Sequence, residues 1–332
     1  MKNVKRDATV FGSALLLLCL ISLLSLRFGS TYLTWGEFFG GLFSPAAHPT
    51  AATILRAVRL PRLLGGLLAG AGLALSGSLL QRVTDNPLAA PGVLGLNAGA
   101  GFFVILTLAC LPTAHALLPL AAFVGAMLAA LLLLALSARF GFDKLSVMLA
   151  GVALSALLGA GISFLSVLDS DALISYTEFS IGGLRYIFLE DLAVPALIVA
   201  LCFACALLLA GRLQLFCLGD SLAASLGVNV KRVRLLCLVL AAASAAAAVS
   251  FAGLLGYVGL LVPHVTRKLT RGSARRELML SPVGGAILLV GADLTGRLVF
   301  APTEVPVGIF TALLGVPFFL ILLLGRKRHA GM

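Results

Sequence analysis

Apolar residues in this chain of 332 do not alternate, and they are not confined to one helical face; they run for about 20 residues at a time between short polar breaks. That length lets a helix cross the hydrocarbon layer. Ten windows fit: 8–28, 61–83, 92–111, 117–137, 145–168, 191–210, 233–251, 254–270, 279–298 and 307–325. The eighth is broken by Pro263-His264 and is expected to be short or bent. The first follows Met-Lys-Asn-Val-Lys-Arg and lacks the short core and small-residue cleavage site of a signal peptide, so it reads as an uncleaved span. Ten crossings put both termini on one side. Of the 24 Lys and Arg residues, 18 fall in termini-side segments, and the other six are Arg27, Arg56, Arg59, Arg62, Arg185 and Arg297. The positive-inside rule then predicts cytoplasmic termini and makes the six outer arginines exceptional.

Composition narrows the class further. The chain is 61% hydrophobic and 11% charged, against about 25% charged in a soluble domain. Too little polar surface remains to cover a water-soluble core of this size. The net charge of +11 does not indicate nucleic acid, because the cations lie between apolar runs without interleaved aromatics. Six cysteines (Cys19, Cys110, Cys202, Cys205, Cys217, Cys237) lie in or beside apolar runs, and the Cys202-x-x-Cys205 pair falls inside a span. They read as small lipid-compatible residues and not as a metal or redox site. No Gly-Lys pair occurs, so there is no Walker-type phosphate loop, and no Gly-x-Ser-x-Gly occurs either. Two spans carry small residues at every fourth position: Gly66, Gly70, Ala74, Ser78, and Gly151, Ser155, Gly159, Ser163. Each row suits close helix packing, or one of them lines a pathway or a subunit interface.

Polar punctuation supplies the candidate chemistry. Arg59-Leu-Pro-Arg62 opens the second span, with Arg56 a turn earlier, and Pro61 suits a helix start. These arginines either reach lipid headgroups or form a patch for carboxylates on a soluble partner. Asp293 precedes Arg297 by four residues, the favourable order for an ion pair on a helix. A carboxylate in a span is costly, so Asp293 is expected to neutralise and orient Arg297. Asp85-Asn86-Pro87 ends a helix, because the residue before proline avoids the α region. The polar loop 212–234 contains Gly219-Asp-Ser-Leu-Ala-Ala-Ser-Leu-Gly227, expected to be a short helix capped by Asp220 or Ser221 and ended by Gly227. Such a helix can enter a partner's groove. Pro263-His264 precedes Arg267 with no second His or Cys at ligand spacing, which argues against a metal site. Glu304-Val-Pro-Val-Gly308 precedes the last span, and Glu304 is a candidate rim partner for Arg297 or Arg62.

The order of these motifs resembles the permease subunit of FecCD-type bacterial ABC importers for iron–siderophore, haem and cobalamin. The resemblance rests on Arg59-Leu-Pro-Arg62, Gln81-x4-Asn86-Pro-Leu-Ala-x-Pro91-Gly92, Leu226-Gly-Val228, Pro263-His264-x-x-Arg267 and Glu304-x-Pro-x-Gly308, and so covers most of the chain. One departure is Ser273-Ala-Arg-Arg-Glu277, where the family usually has Asp-His-Arg. The resemblance implies one all-α permease domain over 1–332 of type II importer architecture, with periplasmic segments near 29–58 and 169–190 and a coupling loop near 212–232. It implies that Arg56, Arg59, Arg62, Arg297 and Glu304 meet a periplasmic binding protein. It assigns Leu218, Gly219, Ala223, Leu226, Gly227 and Val228 to an ATPase cleft, and structural or gating roles to Asn86, Pro87, Pro263, His264 and Asp293. It implies a second permease copy forming a homodimer, two cytoplasmic ATP-binding subunits, a lipid environment in the bacterial inner membrane and no nucleic acid. No cofactor is expected in this chain, since Mg-ATP belongs to the ATPase. The halves 61–168 and 233–325 would be inverted repeats.

Other expectations compete. An ion-coupled secondary transporter would need acidic residues or broken helices deep in the membrane, and Asp293 is its candidate. A passive channel or scaffold would not need the loop 212–234. Iron–siderophore is the default cargo by resemblance. Asn97, Thr107, Ser155, Ser163 and Ser166 are candidate pathway residues. The outer segment 169–190, with Tyr176, Phe179, Arg185 and Tyr186, is a candidate outer gate.

Overall fold

A computed structural model describes residues 2–139 and 144–329. Residues 140–143, between the fourth and fifth windows, and the basic side chains of Lys2, Lys5, Lys144, Arg326, Lys327 and Arg328 lie outside that description. Among the described residues all regular structure is helical. The long helices are α1 (Lys2–Arg27), α4 (Leu60–Thr84), α6 (Leu118–Arg139), α7 (Lys144–Leu168), α9 (Leu189–Leu215), α11 (Val230–Ala252), α13 (Ala274–Val299) and α14 (Val307–His329). Shorter ones are α2 (Trp35–Phe43), α3 (Pro49–Thr53), α5 (Leu96–Cys110), α8 (Ser170–Ile181), α10 (Asp220–Ser225) and α12 (Val258–Leu269).

All ten windows fall on helices, but not all of those helices have spanning length. Seven among the described residues are long and apolar enough to cross a membrane, and α5, with 15 residues, is shorter. The eighth window is short, as expected. Its helix has 12 residues, about 18 Å, well short of the hydrocarbon layer. Residues 253–257 preceding it are not helical. The second window starts earlier than expected, in a continuous helical stretch from Pro49 to Thr84. Pro61 therefore does not begin that helix. A wide turn over Ile54–Arg59, in which Leu60 N–H bonds Leu55 O, accommodates a proline that would break an ordinary α-helix.

Helices α4, α11 and α13 form the interior, while α1 and α7 are exposed along most of their length. The small-residue row on α4 explains that centre. A side chain at Gly70 would lie 2.2 Å from Gly285 O, and one at Gly285 would lie 2.0 Å from Gly70 O. Ser78 Oγ donates to Ser281 Oγ at 2.8 Å on the same seam. This row packs helix against helix. The row on α7 differs, because Gly159 has open space around it and Ser163 is exposed.

Candidate functional site

Helices α4 and α13 run antiparallel, with an ion-pair cluster at each end. At one end Arg62 donates to Asp293 through Nε (3.0 Å) and Nη2 (2.8 Å). At the other, Arg82 Nη2 meets Glu277 Oε2 at 2.6 Å. The sequence reading anticipated one bond at the first end, Asp293 with Arg297, and Arg297 Nε does lie 3.0 Å from Asp293 Oδ2. Asp293 also holds Arg62, across helices. Glu304 resolves to Arg62, whose Nη1 donates to it at 2.7 Å. Burial raises the proton affinity of Glu304, but hydrogen bonds from Arg62 and Ser30 outweigh burial and hold it below the ordinary carboxylate value.

Arg59, Arg62 and Arg297 are 3%, 6% and 3% exposed, so their guanidinium groups face into the chain. Two of them close the end of α1. Arg59 Nη1 donates to Leu26 O at 2.7 Å and to Arg27 O at 2.6 Å. Arg297 donates to Ser25 O at 3.3 Å, Phe28 O at 3.2 Å and Ser25 Oγ at 2.6 Å. A helix C-terminus leaves carbonyls unpaired and carries partial negative charge, and cations satisfy both. Arg27 is also buried, with its guanidinium carbon 4.7 Å from the Trp35 ring centroid and near Phe28 and Tyr32. Of the five candidate docking residues, Arg56 is exposed and Glu304 half-exposed. Beside this end lies a cavity of about 400 Å3, lined by Arg62, Glu178, Arg185, Tyr186 and Glu304 among others. Within the segment 169–190, residues Ser170–Ile181 form α8, and Arg185 and Tyr186 beyond it border that cavity.

The opposite end gathers the coupling candidates. Glu277 is fully buried and takes Arg82 and also Arg267, at 3.2 Å. Arg82 Nη2 further donates to Gly272 O at 2.9 Å. Asp220 does not cap α10, and Ser221 does not either; the Asp220 carboxylate is held by Arg234 Nη2 at 2.8 and 2.9 Å. The charge of the guanidinium competes better for the carboxylate than a backbone N–H does. Gly227, at φ +84°, ends α10 as expected, with Gly227 N–H bonding Ala224 O and Val228 N–H bonding Ala223 O. Gly219 has φ +92°. Ala223 and Val228 are buried, while Leu218, Leu222 and Leu226 are 52%, 56% and 59% exposed.

Of the gating candidates, Asn86 and Pro87 fall in the turn after α4, while Pro263 and His264 lie inside α12 and Asp293 lies inside α13. Asn86 Oδ1 accepts from Leu88 N at 2.9 Å across Pro87, closing the turn after α4. Pro263 lies inside α12, and His264 packs edge-on against Phe318 at 5.6 Å. A proline cannot donate to the carbonyl four residues earlier, here Gly259 O. Gln81 Nε2 donates to that carbonyl at 3.3 Å and to Leu260 O at 3.1 Å, replacing the lost bond from α4.

The sequence reading missed Glu277, Gln81, the Arg234–Asp220 pair and α2. Each had a signal. Glu277 ends a basic run in a chain with only 13 acidic residues. Thr34-Trp-Gly-Glu37 is a capping-box pattern, and both of its bonds form. No group of three or more His, Cys, Asp or Glu suited to a metal occurs among the described residues.

Known proteins share this architecture. Residues 15–325 match the FecCD transport family. The Fe(3+)-citrate import system permease protein YfmE of Bacillus subtilis is 36% identical over 97% of this chain and 96% of its own. The hemin transport system permease protein HmuU of Yersinia pestis is 36% identical over 96% of each. A solved inward-facing conformation of a metal-chelate type ABC transporter superposes with TM-score 0.85 at 29% identity, covering 96% of this chain and 99% of that one. A helical bundle with these motifs in this order, matched nearly end to end, makes this chain a member of the FecCD transport family.

Proposed function

We propose that this chain is the membrane permease of an ATP-driven importer for an iron chelate of the siderophore, citrate or haem type, acting in the bacterial inner membrane with both termini in the cytoplasm. Family membership supports the permease role, and the relatives named above carry Fe(3+)-citrate and hemin in their names. The observation that carries the reading is α10. Three exposed leucines, Leu222 on that six-residue helix with Leu218 and Leu226 on either side of it, stand on a segment that Arg234 ties to the bundle through Asp220. An apolar ridge in that position suits the groove of a soluble protein. A separate ATPase, which binds Mg-ATP itself, is the occupant that an importer requires.

Two permease copies would enclose the pathway, with two ATPases below and one binding protein above. Arg56, Glu304 and Arg185 offer charge at the outer rim, above the buried Arg59, Arg62 and Arg297. ATP binding and product release would favour different packings, a shift between two arrangements of rigid helices. The short α12, hinged at Pro263 and held by Gln81, is an element able to change between them. Ion coupling gains no support, because Asp293 is held by two guanidinium groups.

Co-expression with neighbouring genes, followed by affinity purification and uptake in liposomes, tests the reading. Leu222→Glu/Leu226→Glu is expected to lose the ATPase on purification, while Arg56→Glu keeps it and weakens stimulation by the loaded binding protein. Uptake that proceeds without ATP would overturn the importer. Stimulation by cobalamin alone would replace the proposed cargo.

A further inference from the structure

We propose that a crevice between α1, α12 and α13 binds one anionic phospholipid, its acyl chain between the helices and its phosphate at Arg6, Lys268 and Arg276. The crevice has a volume of about 440 Å3 and is walled by Val10 and Leu17 of α1, Leu261 and Val265 of α12, and Leu280 and Leu288 of α13. It runs along each helix for about 12 Å at 1.5 Å per residue. Its lining is almost wholly apolar and opens beside α1, whose Leu16 and Leu23 are 70% and 60% exposed. Such a surface is stable against hydrocarbon and not against water.

The chemistry of the mouth selects the lipid. On α1, Arg6 lies four residues before Val10, on the crevice face. On α12, Lys268 lies three residues after Val265, on the same face as Leu261. On α13, Arg276 lies four residues before Leu280. Arg6 and Arg276 thus lie a single turn below the apolar lining of their helices, and Lys268 lies at the same end of α12, next to the lining residue Leu269. Two acids stand near, and both are engaged: Asp7 with Arg276, and Glu277 with Arg82 and Arg267. Among the described residues Arg6 and Lys268 form no ion pair, and both are exposed. Three cations below an apolar slot match a phosphate below an acyl chain. A second copy of this chain fits poorly, because a two-fold contact here would bring the same cations together. A zwitterionic lipid would bring an amine to a site already positive.

The test uses the full-length chain purified in mild detergent, with native mass spectrometry and thermal unfolding as readouts. Phosphatidylglycerol is expected to remain as one retained molecule per chain and to raise the melting temperature, while phosphatidylethanolamine does neither. Inorganic phosphate should not displace the lipid, since the acyl chain contributes to binding. Arg6→Gln/Lys268→Gln should weaken phosphatidylglycerol binding about thirty-fold. Ala14→Phe, which fills the crevice from α1, should abolish retention with every charge in place. Equal retention of phosphatidylethanolamine, displacement by phosphate, or unchanged affinity in the charge variant would overturn the proposal. A disulfide between two copies of Leu17→Cys would also overturn it, by placing a second chain over the crevice. If Ala14→Phe fails to fold, the charge variant decides, because both of its residues are exposed.

Discussion

The two ends of the α4–α13 pair handle buried charge differently. At the Arg62 end, four buried or nearly buried arginines (Arg27, Arg59, Arg62, Arg297) meet two carboxylates, Asp293 and Glu304. Backbone carbonyls at the end of α1 and aromatic rings supply the remaining partners. At the Arg82 end, carboxylates carry more of the load: Glu277 serves Arg82 and Arg267, Asp220 serves Arg234, and Asp7 serves Arg276. Helix-end dipoles are spread over several groups, so loss of one partner there leaves others in place. Asp293 is likewise buried between two cations, but Glu304 shares Arg62 and carbonyls at the end of α1 share Arg297, whereas among the described residues Glu277 is the one carboxylate paired with Arg82. The first end should therefore yield gradually to substitution, and the second abruptly.

The largest expected effect tests that claim. Glu277→Ala leaves Arg82, with a side chain 2% exposed, without its counter-ion, and should cost about 3–5 kcal/mol of stability in detergent unfolding. Adding Arg82→Leu should recover part of the loss, since an apolar pair can replace a buried ion pair. At the other end Asp293→Asn keeps the shape and some hydrogen bonding, and should cost about 2–3 kcal/mol in the same assay. An equal or larger loss there would refute the difference between the ends. Between the ends, Gly70→Ala puts a methyl against the Gly285 carbonyl and should cost about 2 kcal/mol, while Gly159→Ala, with open space, should leave the melting temperature unchanged.

The smallest effect is a dependence on pH. Glu304 ionises more readily in the folded chain than at its ordinary value of 4.5. Its contribution is therefore present above that pH and is lost as pH falls through the lower folded value. Because the side chain is 14% exposed and near water, the loss should be below about 1 kcal/mol. Thermal unfolding of wild type and Glu304→Gln should converge as pH drops below about 4.5. A gap that widens with acid would reverse the assignment.

The candidate site was partly legible in the sequence for identifiable reasons. Asp293 and Arg297 share a helix face, so their pairing follows from spacing of four. Gly227 was legible because a left-handed end of a short helix favours glycine. Arg59 and Arg62 looked like a surface patch because a run of basic residues at a predicted rim gives no sign of which way it faces. Their acceptors, Leu26 O, Arg27 O and Asp293, lie 33, 32 and 231 residues away in sequence. Gln81 was illegible in its role for the same reason, since the carbonyl it serves is 178 residues distant.

By itself the sequence determined that this is a helical chain in a membrane, and where most of its helices run. Those are local facts: runs of apolar residues of spanning length, ended by proline, glycine and charge. The motifs also carried the family, because their order along the chain is itself sequence. Tertiary structure decided which small-residue row packs and which stays open, which arginines turn inward, and that one window becomes a half-length helix held by a glutamine from another. Burial and hydrogen-bond partners depend on contacts between distant segments. A helix's rotation about its own axis is fixed by its neighbours, and no single segment contains that information.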